Sequence, residues 1–468
     1  MNKKFLLSII LLGTLVSGCA GNQKKSGEAG TPDAKDLASL ELKLPVERIV
    51  LPNGLRVLLM SNPSLPIYSY YTFYDVGGRY EGPGTTGATH FLEHMMFKGS
   101  QNYGPGFFDQ FVDSNGGSNN AYTSFDSTVY YQNMPKETLE EMIKIEADRM
   151  NSILLIPLAF ESERKVILEE RKMRYENSPR GQMFQALTQE VFAGTPYGGS
   201  VIGSEEDILG LNRERMLEFH KTFYSPNNAV IVIIGDIDLG KTSQWIRRAF
   251  TPLSKNEKLA ELKTDYNREE VYRPKAKMNP EMRLHGESPR PIFALAYRGE
   301  KLGARRAYVM DILASILGSG ESSYFHQNYV SGAKPQLSSV GVANYNLKYN
   351  GVFFVTGELL EKTSLPKFKQ TLMKDVSEVC IKAIDERSLQ KTKNQYLVSY
   401  YNELQTNAGV ASFLGQRESF FGDYMTYKDE LKTYNSITLA EVQVVCREVF
   451  GSDDNFFLSV WEKHPKKS

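Results

Sequence analysis

The chain has 468 residues, 55 Lys+Arg against 55 Asp+Glu, 41% hydrophobic residues, three Cys and six His. At roughly 150 residues per domain this length suits two or three domains, enough to bury a core without disulfide or structural-metal staples. Ordinary hydrophobic and charged fractions exclude a disordered or fibrous chain, and zero net charge argues against a nucleic-acid binder, which needs excess Lys and Arg to neutralise phosphates.

Residues 1–18 read as a secretory signal peptide: Asn2-Lys3-Lys4, an apolar run over 5–12, then small residues up to Cys19. The ending Leu15-Val16-Ser17-Gly18-Cys19 resembles the bacterial lipobox, in which the Cys is acylated and becomes the new N-terminus. A simple secretory signal with an incidental Cys is the alternative. Ala20 stands where an Asp would retain the protein at the inner membrane, so the expected location is the cell envelope of a bacterium, lipid-anchored at the outer membrane and facing the periplasm. Loss of residues 1–18 removes Lys3 and Lys4 and no acid, leaving a small acidic excess. Residues 19–44 are small, polar and turn-prone, a flexible tether. Cys380 and Cys446 could pair in an oxidising compartment, and two buried free thiols is an equal reading.

Residues 48–51 and 55–60 flank Pro52-Asn53-Gly54 and predict a hairpin with a tight primed turn. A strand over 67–74 follows, then helical spacing over 84–97, with Thr86 or Thr89 near its start. Residues 118–123 are polar, and 128–133 predict another strand. Helices are expected over 135–150, with acids early and Arg149 late, and over 161–175. The run 228–235 predicts a buried strand closing a first domain over 45–250. Residues 251–275 are polar and charged, an expected interdomain linker. A second domain over 276–468 repeats the order: strand 291–297, helix 304–317, strand 352–358, two helices between 364 and 421, and strand 455–460. The fold class expected is α+β, two similar α/β halves, each a mostly antiparallel or mixed sheet with helices packed on it.

The chemistry concentrates in His90-Phe-Leu-Glu93-His94, an H-x-x-E-H pattern. On a helix His90 and His94 are one turn apart and project from one face, so two imidazoles can share a metal ion. Glu93 stands beside them, placed to take a proton from the attacking water. With six His in the chain, chance would give this pattern on the order of 0.01 times or less. The order inverts H-E-x-x-H, and both orders are zinc-peptidase motifs.

Three segments, Val76-Gly-Gly-Arg-Tyr-Glu81, residues 90–99 and Glu163-Arg-Lys-Val-Ile-Leu-Glu-Glu170, closely resemble the M16 peptidases, the pitrilysin, insulinase and mitochondrial processing peptidase group. The likeness continues through Pro196-Tyr197, Phe223-Tyr224-Ser225-Pro226-Asn227-Asn228 and Gly235-Asp236, and weakens beyond about residue 240. It implies one zinc per chain, with Glu170 as third ligand beside His90 and His94, Glu93 as general base and Glu163 as a partner behind the ligands. Glu163 and Glu170 lie two turns apart on one helix face, whereas Glu169, the rival ligand, points about a quarter-turn away. The resemblance also implies that Asn119-Asn120-Ala121-Tyr122-Thr123 is an edge strand on which a peptide substrate adds as a further strand, with Asn120 and Ala121 meeting it.

Four such halves enclose a chamber in the family, so a chain of this length is expected to dimerise. Many active members carry Ser-Ser-Arg and Gly-x-x-Tyr in the second half. Here Ser322-Ser323 is followed by Tyr324, and residues 332–337 offer no Tyr. A heterodimer with a second M16-like chain lacking the zinc motif would supply them. The function expected is a zinc-dependent endopeptidase acting on peptides or small unfolded segments in the envelope. The alternatives are a non-catalytic assembly subunit and a lipid-anchored peptide-binding protein, which zinc content and chelator sensitivity distinguish.

Overall fold

Strand β6 (Ala229–Gly235), Ala-Val-Ile-Val-Ile-Ile-Gly, is buried along its whole length, as a near-continuous apolar run must be when both faces of its sheet are covered. It lies inside a six-stranded sheet with β1 (Glu47–Val50), β2 (Arg56–Ser61), β3 (Ile67–Tyr74), β4 (Ser118–Thr123) and β5 (Thr128–Pro135). The order is β1-β2-β6-β3-β5-β4. The β2–β6 pair is parallel and the rest antiparallel. The computed structural model describes residues 42–274, 276–286 and 288–460, so the signal peptide, Cys19 and nearly all of the tether lie outside the described residues.

The strand period of two sorts the sheet's side chains. Val57, Leu59, Ile231 and Ile233 join one core, with helices α1 (Ala88–Met95), α2 (Leu139–Asn151) and α3 (Pro157–Arg171). Leu58, Met60, Val230, Val232 and Ile234 face the other way, onto the helix Asn407–Phe421. Gly415 makes that approach possible, because a Cβ there would stand 2.0 Å from the Phe73 ring. Arg48 and Arg56 of the same sheet pair with the fully buried Glu418 of this helix.

The described chain divides into two units, Leu42–Lys277 with Val398–Glu430, and Met278–Leu397 with Leu431–Val460. Expected boundaries at 251–275 and 276–468 need correcting. Residues 251–275 are not a linker: Lys263 is buried in the first unit and donates to Asp75 and Asn228, and Tyr272 is buried there too. Residues Val398–Glu430 leave the second stretch of chain and complete the first unit.

The second unit holds a five-stranded sheet of β7 (Glu281–Leu284), β8 (Ile292–Arg298), β9 (Leu337–Asn346), β10 (Gly351–Leu359) and β11 (Asn455–Val460) in the order β7-β11-β8-β10-β9. Only β7–β11 is parallel. Helices Arg305–Gly318, Leu365–Lys382 and Leu439–Phe450 supply its core. Cys380 and Cys446 form a disulfide between the last two, deciding the pairing left open above. Both units are thus mixed sheets with helices packed on them, the expected α+β class.

Two local expectations change. The β1–β2 turn is not of the primed type, which needs positive φ at the first central residue at least: the Gly54 N–H donates to the Leu51 carbonyl, so the central residues are Pro52 and Asn53. Gly54 has φ 88°, but no described non-glycine residue has positive φ, and Asn53 instead donates its side-chain amide to the Phe250 and Leu253 carbonyls. Three helices, Leu365–Lys382, Glu386–Glu403 and Asn407–Phe421, stand where two were expected. No described helix is long and apolar enough to cross a membrane.

Candidate metal centre

Helix α1 begins at a backbone reversal that only glycine tolerates easily. Gly87 has φ 86°, and a Cβ there would lie 2.4 Å from the Ile202 carbonyl oxygen. The first helical N–H groups have no partner within the helix. Glu81 supplies one, its carboxylate accepting from the Gly87 and Thr89 N–H groups at 2.7 Å each. Burial pushes the Glu81 carboxyl up to about 7 despite these bonds. Asp207 accepts from the Thr86 hydroxyl and N–H at the same end. The Val76–Glu81 segment is itself anchored: Arg79 is fully buried and pairs with Asp126 at 3.0 Å, and Gly77 has no room for a side chain beside Ser124.

Along α1, His90 and His94 project from one face with ring centroids 4.8 Å apart. Helix α3, opened by Pro157 at its first turn, brings two carboxylates to them. Glu170 Oε2 lies 3.7 Å from His90 Nε2 and 3.3 Å from His94 Nε2. Two turns earlier, Glu163 Oε2 lies 3.2 Å from His94 Nδ1. One ligand atom from each of His90, His94 and Glu170 falls within 4.8 Å of the others. Glu169, the rival, points to solvent with its side chain 68% exposed and paired with Lys172.

These residues fit a divalent cation. Both ring nitrogens of His90 are buried without a hydrogen-bond partner, and a metal at Nε2 would relieve the cost at that atom. Two imidazoles and one carboxylate are a donor set suited to zinc in an open site. Burial pushes His90 down to about 3, so its ring is neutral and able to ligate. For Glu170 burial acts upward, but His94, His90 and Arg174 outweigh it and hold the carboxyl down to about 2. Arg174 reaches the other oxygen of Glu170 at 2.7 Å, and Lys98 reaches the other oxygen of Glu163 at 2.6 Å. Each carboxylate therefore turns one oxygen to a histidine and the other to a cation.

Glu93 is buried beside the histidines, and burial pushes its carboxyl up to about 7. Its Oε2 accepts a 2.5 Å hydrogen bond from the Thr123 hydroxyl at the end of β4. Strand β4 is an edge of its sheet, and Asn120 and Ala121 lie on it as expected. The Asn120 side-chain oxygen accepts from the Ala121 N–H at 2.9 Å, occupying a donor on the strand. The first unit thus brings together His90, Glu93, His94, Glu163, Glu170, Asn120 and Ala121, while Cys19 lies outside the described residues. Lys98 and Arg174 were overlooked, although each stands four positions after a site residue, His94 and Glu170. Thr123 and Glu81 reach the site through tertiary contact, and no spacing marks them.

The chain is similar to known proteins over most of its length. Residues 56–205 match the family described as Insulinase (Peptidase family M16), and residues 210–396 match Peptidase M16 inactive domain. The zinc protease PqqE of Helicobacter pylori is 28% identical over 392 residues, 82% of this chain and 84% of that protein. The uncharacterized zinc protease YmxG of Bacillus subtilis is 24% identical over 87% of this chain and 96% of its own length. A probable mitochondrial-processing peptidase subunit beta of Arabidopsis thaliana is 24% identical over 88% of this chain and 78% of its own. In fold, the chain resembles the crystal structure of a protease from Helicobacter pylori with a TM-score of 0.80 at 24% identity, over 89% of this chain and 100% of that one. With the H-x-x-E-H helix and the Glu170 helix both inside the matched peptidase region, this chain belongs to the M16 family of peptidases.

Proposed function

We propose that this chain is a zinc-dependent endopeptidase that hydrolyses peptides or small unfolded protein segments in a bacterial cell envelope. The observation that carries the reading is the convergence of His90, His94 and Glu170 with Glu93 buried beside them. His90 Nε2, His94 Nε2 and Glu170 Oε2 would hold one zinc, which when bound supplies a Lewis acid that acidifies water and polarises a peptide carbonyl. Glu93 takes the proton of the attacking water and hands it to the leaving amine. Glu163 holds His94 from behind through Nδ1, fixing which nitrogen faces the metal. An extended peptide adds along the free edge of β4, where its carbonyl takes the Ala121 N–H in place of the Asn120 side chain.

The envelope location is supported by the lipobox-like start and by the Cys380–Cys446 disulfide, since such bonds persist mainly in oxidising compartments. Acylation of Cys19 would tether the protein to the outer membrane. A dimeric state, in a heterodimer with an M16-like chain lacking the zinc motif, is supported by the missing Arg and Tyr near Tyr324. It is supported too by the relative named as a peptidase subunit. The second reading, a non-catalytic assembly subunit, draws on the inactive-domain match at residues 210–396. The four chemistry-bearing residues lie outside that stretch and are intact, which favours the enzyme.

The test is a chelator-controlled digest of unstructured peptides, with and without a co-expressed partner, together with zinc content. The expected outcome is one zinc per chain and cleavage abolished by chelation. Glu93→Gln should keep zinc and lose most activity, and His94→Ala should lose both. A Glu93→Gln protein cleaving at the normal rate refutes the assignment.

A further inference from the structure

We propose that Thr123 is a positioning residue for Glu93, so that the strand that receives the peptide also aims the base. The inference rests on the reading of Glu93 as that base. A glutamate side chain has three rotatable bonds, and proton transfer requires its carboxylate within hydrogen-bond reach of the water it activates. Helix α1 fixes the Cα of Glu93 but leaves those torsions open. His94 receives its orientation from the α3 carboxylates, and Glu93 receives no hydrogen bond from that helix among the described residues. What it receives is the Thr123 hydroxyl, donated to Oε2 at 2.5 Å.

The surroundings of Thr123 hold that hydroxyl still. Threonine is β-branched and stiff about χ1. Thr123 pairs with Thr128 across β4–β5, directly before a turn closed by Ser124 N–H to Ser127 O at 2.8 Å. The Ser124 hydroxyl donates to the Ser127 carbonyl at 3.0 Å and tightens the turn further. The Gly78 and Arg79 N–H groups then donate to the Ser124 and Phe125 carbonyls at 3.0 Å each, tying the strand end to the segment anchored by buried Arg79. The donor to Glu93 is therefore part of a rigid corner. It is also the last residue of the free edge strand, two positions beyond Ala121. A peptide paired along β4 and the carboxylate that serves it are registered against the same six-residue strand.

The experiment compares wild type, Thr123→Val, Thr123→Ala, Thr123→Ser and Glu93→Gln in the mature zinc-loaded protein, with its partner where activity requires one. A fluorogenic extended peptide gives kcat and KM, competition with a chromophoric chelator gives zinc affinity, and circular dichroism checks the fold. Valine keeps the shape and removes the hydroxyl, and alanine guards against a methyl clash. The expected result is kcat down about 10- to 100-fold in both variants, the size of effect a misplaced catalytic group produces. KM and zinc affinity should stay within about twofold, with kcat largely restored by Thr123→Ser. A merely structural hydroxyl would instead lower zinc affinity or stability alongside kcat, and that pattern overturns the proposal. Wild-type cleavage abolished in Glu93→Gln but undiminished in Thr123→Val overturns it while leaving the peptidase reading intact. A wild type that binds zinc and cleaves nothing overturns both.

Discussion

His90 and His94 stand one turn apart on α1, yet their surroundings give them opposite charge states. Burial, helped by the neighbouring His94 and Arg174 and outweighing Glu170, pushes the His90 ring down to about 3, so it stays neutral. Burial pushes His94 the same way, but hydrogen bonds to Glu163 and Glu170 outweigh it and raise the ring to about 9. Without metal, then, His94 carries at neutral pH a second proton, on the Nε2 that faces Glu170. A zinc ion must displace that proton, because only the neutral imidazole nitrogen ligates. The sign follows: below about pH 9 a proton competes with the metal at His94, and above it none does. Zinc binding at pH 7 should release close to one proton, read by calorimetry in buffers of different ionisation enthalpy. The apparent affinity should rise about tenfold per unit as pH climbs from 7 toward the His94 pKa, then level. Glu163→Gln removes the negative charge behind one of the two hydrogen bonds that raise His94, so it should release less than wild type. Equal proton release from the two proteins would remove Glu163 from this role.

Helix α1 shows how an element and its ligands depend on a residue far from either. Glu81 satisfies two N–H groups at the start of the helix, and its ionised form also meets the positive end of the helix dipole. His90 lies in the first turn that those bonds hold. Glu81→Ala leaves buried donors without acceptors and should cost about 2 kcal/mol, with zinc affinity falling as the first turn frays. Denaturant midpoint and chelator competition measure the two effects, and an unchanged midpoint would show that other groups cap the helix. The histidine spacing made α1 legible in the sequence, as the unbroken apolar run made β6, because both signals are local. Strand β9, Leu-Ser-Ser-Val-Gly-Val-Ala-Asn-Tyr-Asn, was missed because small and polar residues blur its alternation. The primed turn failed for another local reason: Asn53 spends its amide on the carbonyls of Phe250 and Leu253 instead of adopting positive φ.

At the scale of the whole molecule, the least legible feature was the return of Val398–Glu430 to the first unit. Its helix Asn407–Phe421 has buried residues such as Val410, Phe413 and Leu414, and helical periodicity cannot say which sheet they meet. The Cys380–Cys446 pairing is hidden for a similar reason, since two thiols in separate helices are joined only by tertiary packing. The disulfide bears on that same excursion. It ties the helix Leu365–Lys382, which precedes the excursion, to the helix Leu439–Phe450, which follows it, closing a loop of 66 residues that contains the whole of Val398–Glu430. Closing a loop of that length restricts the unfolded chain by about 4 kcal/mol in the chain-entropy account. Cys380→Ser with Cys446→Ser should therefore lower the denaturation midpoint by an amount corresponding to roughly 2–4 kcal/mol, and reductant should do the same to wild type and nothing further to the variant. The metal ligands belong to the other unit, so zinc content under native conditions should stay at the wild-type level in the variant. Loss of zinc in step with loss of the disulfide would mean instead that the ligand geometry depends on the closed loop. The excursion would then be the part of the chain through which the two are coupled.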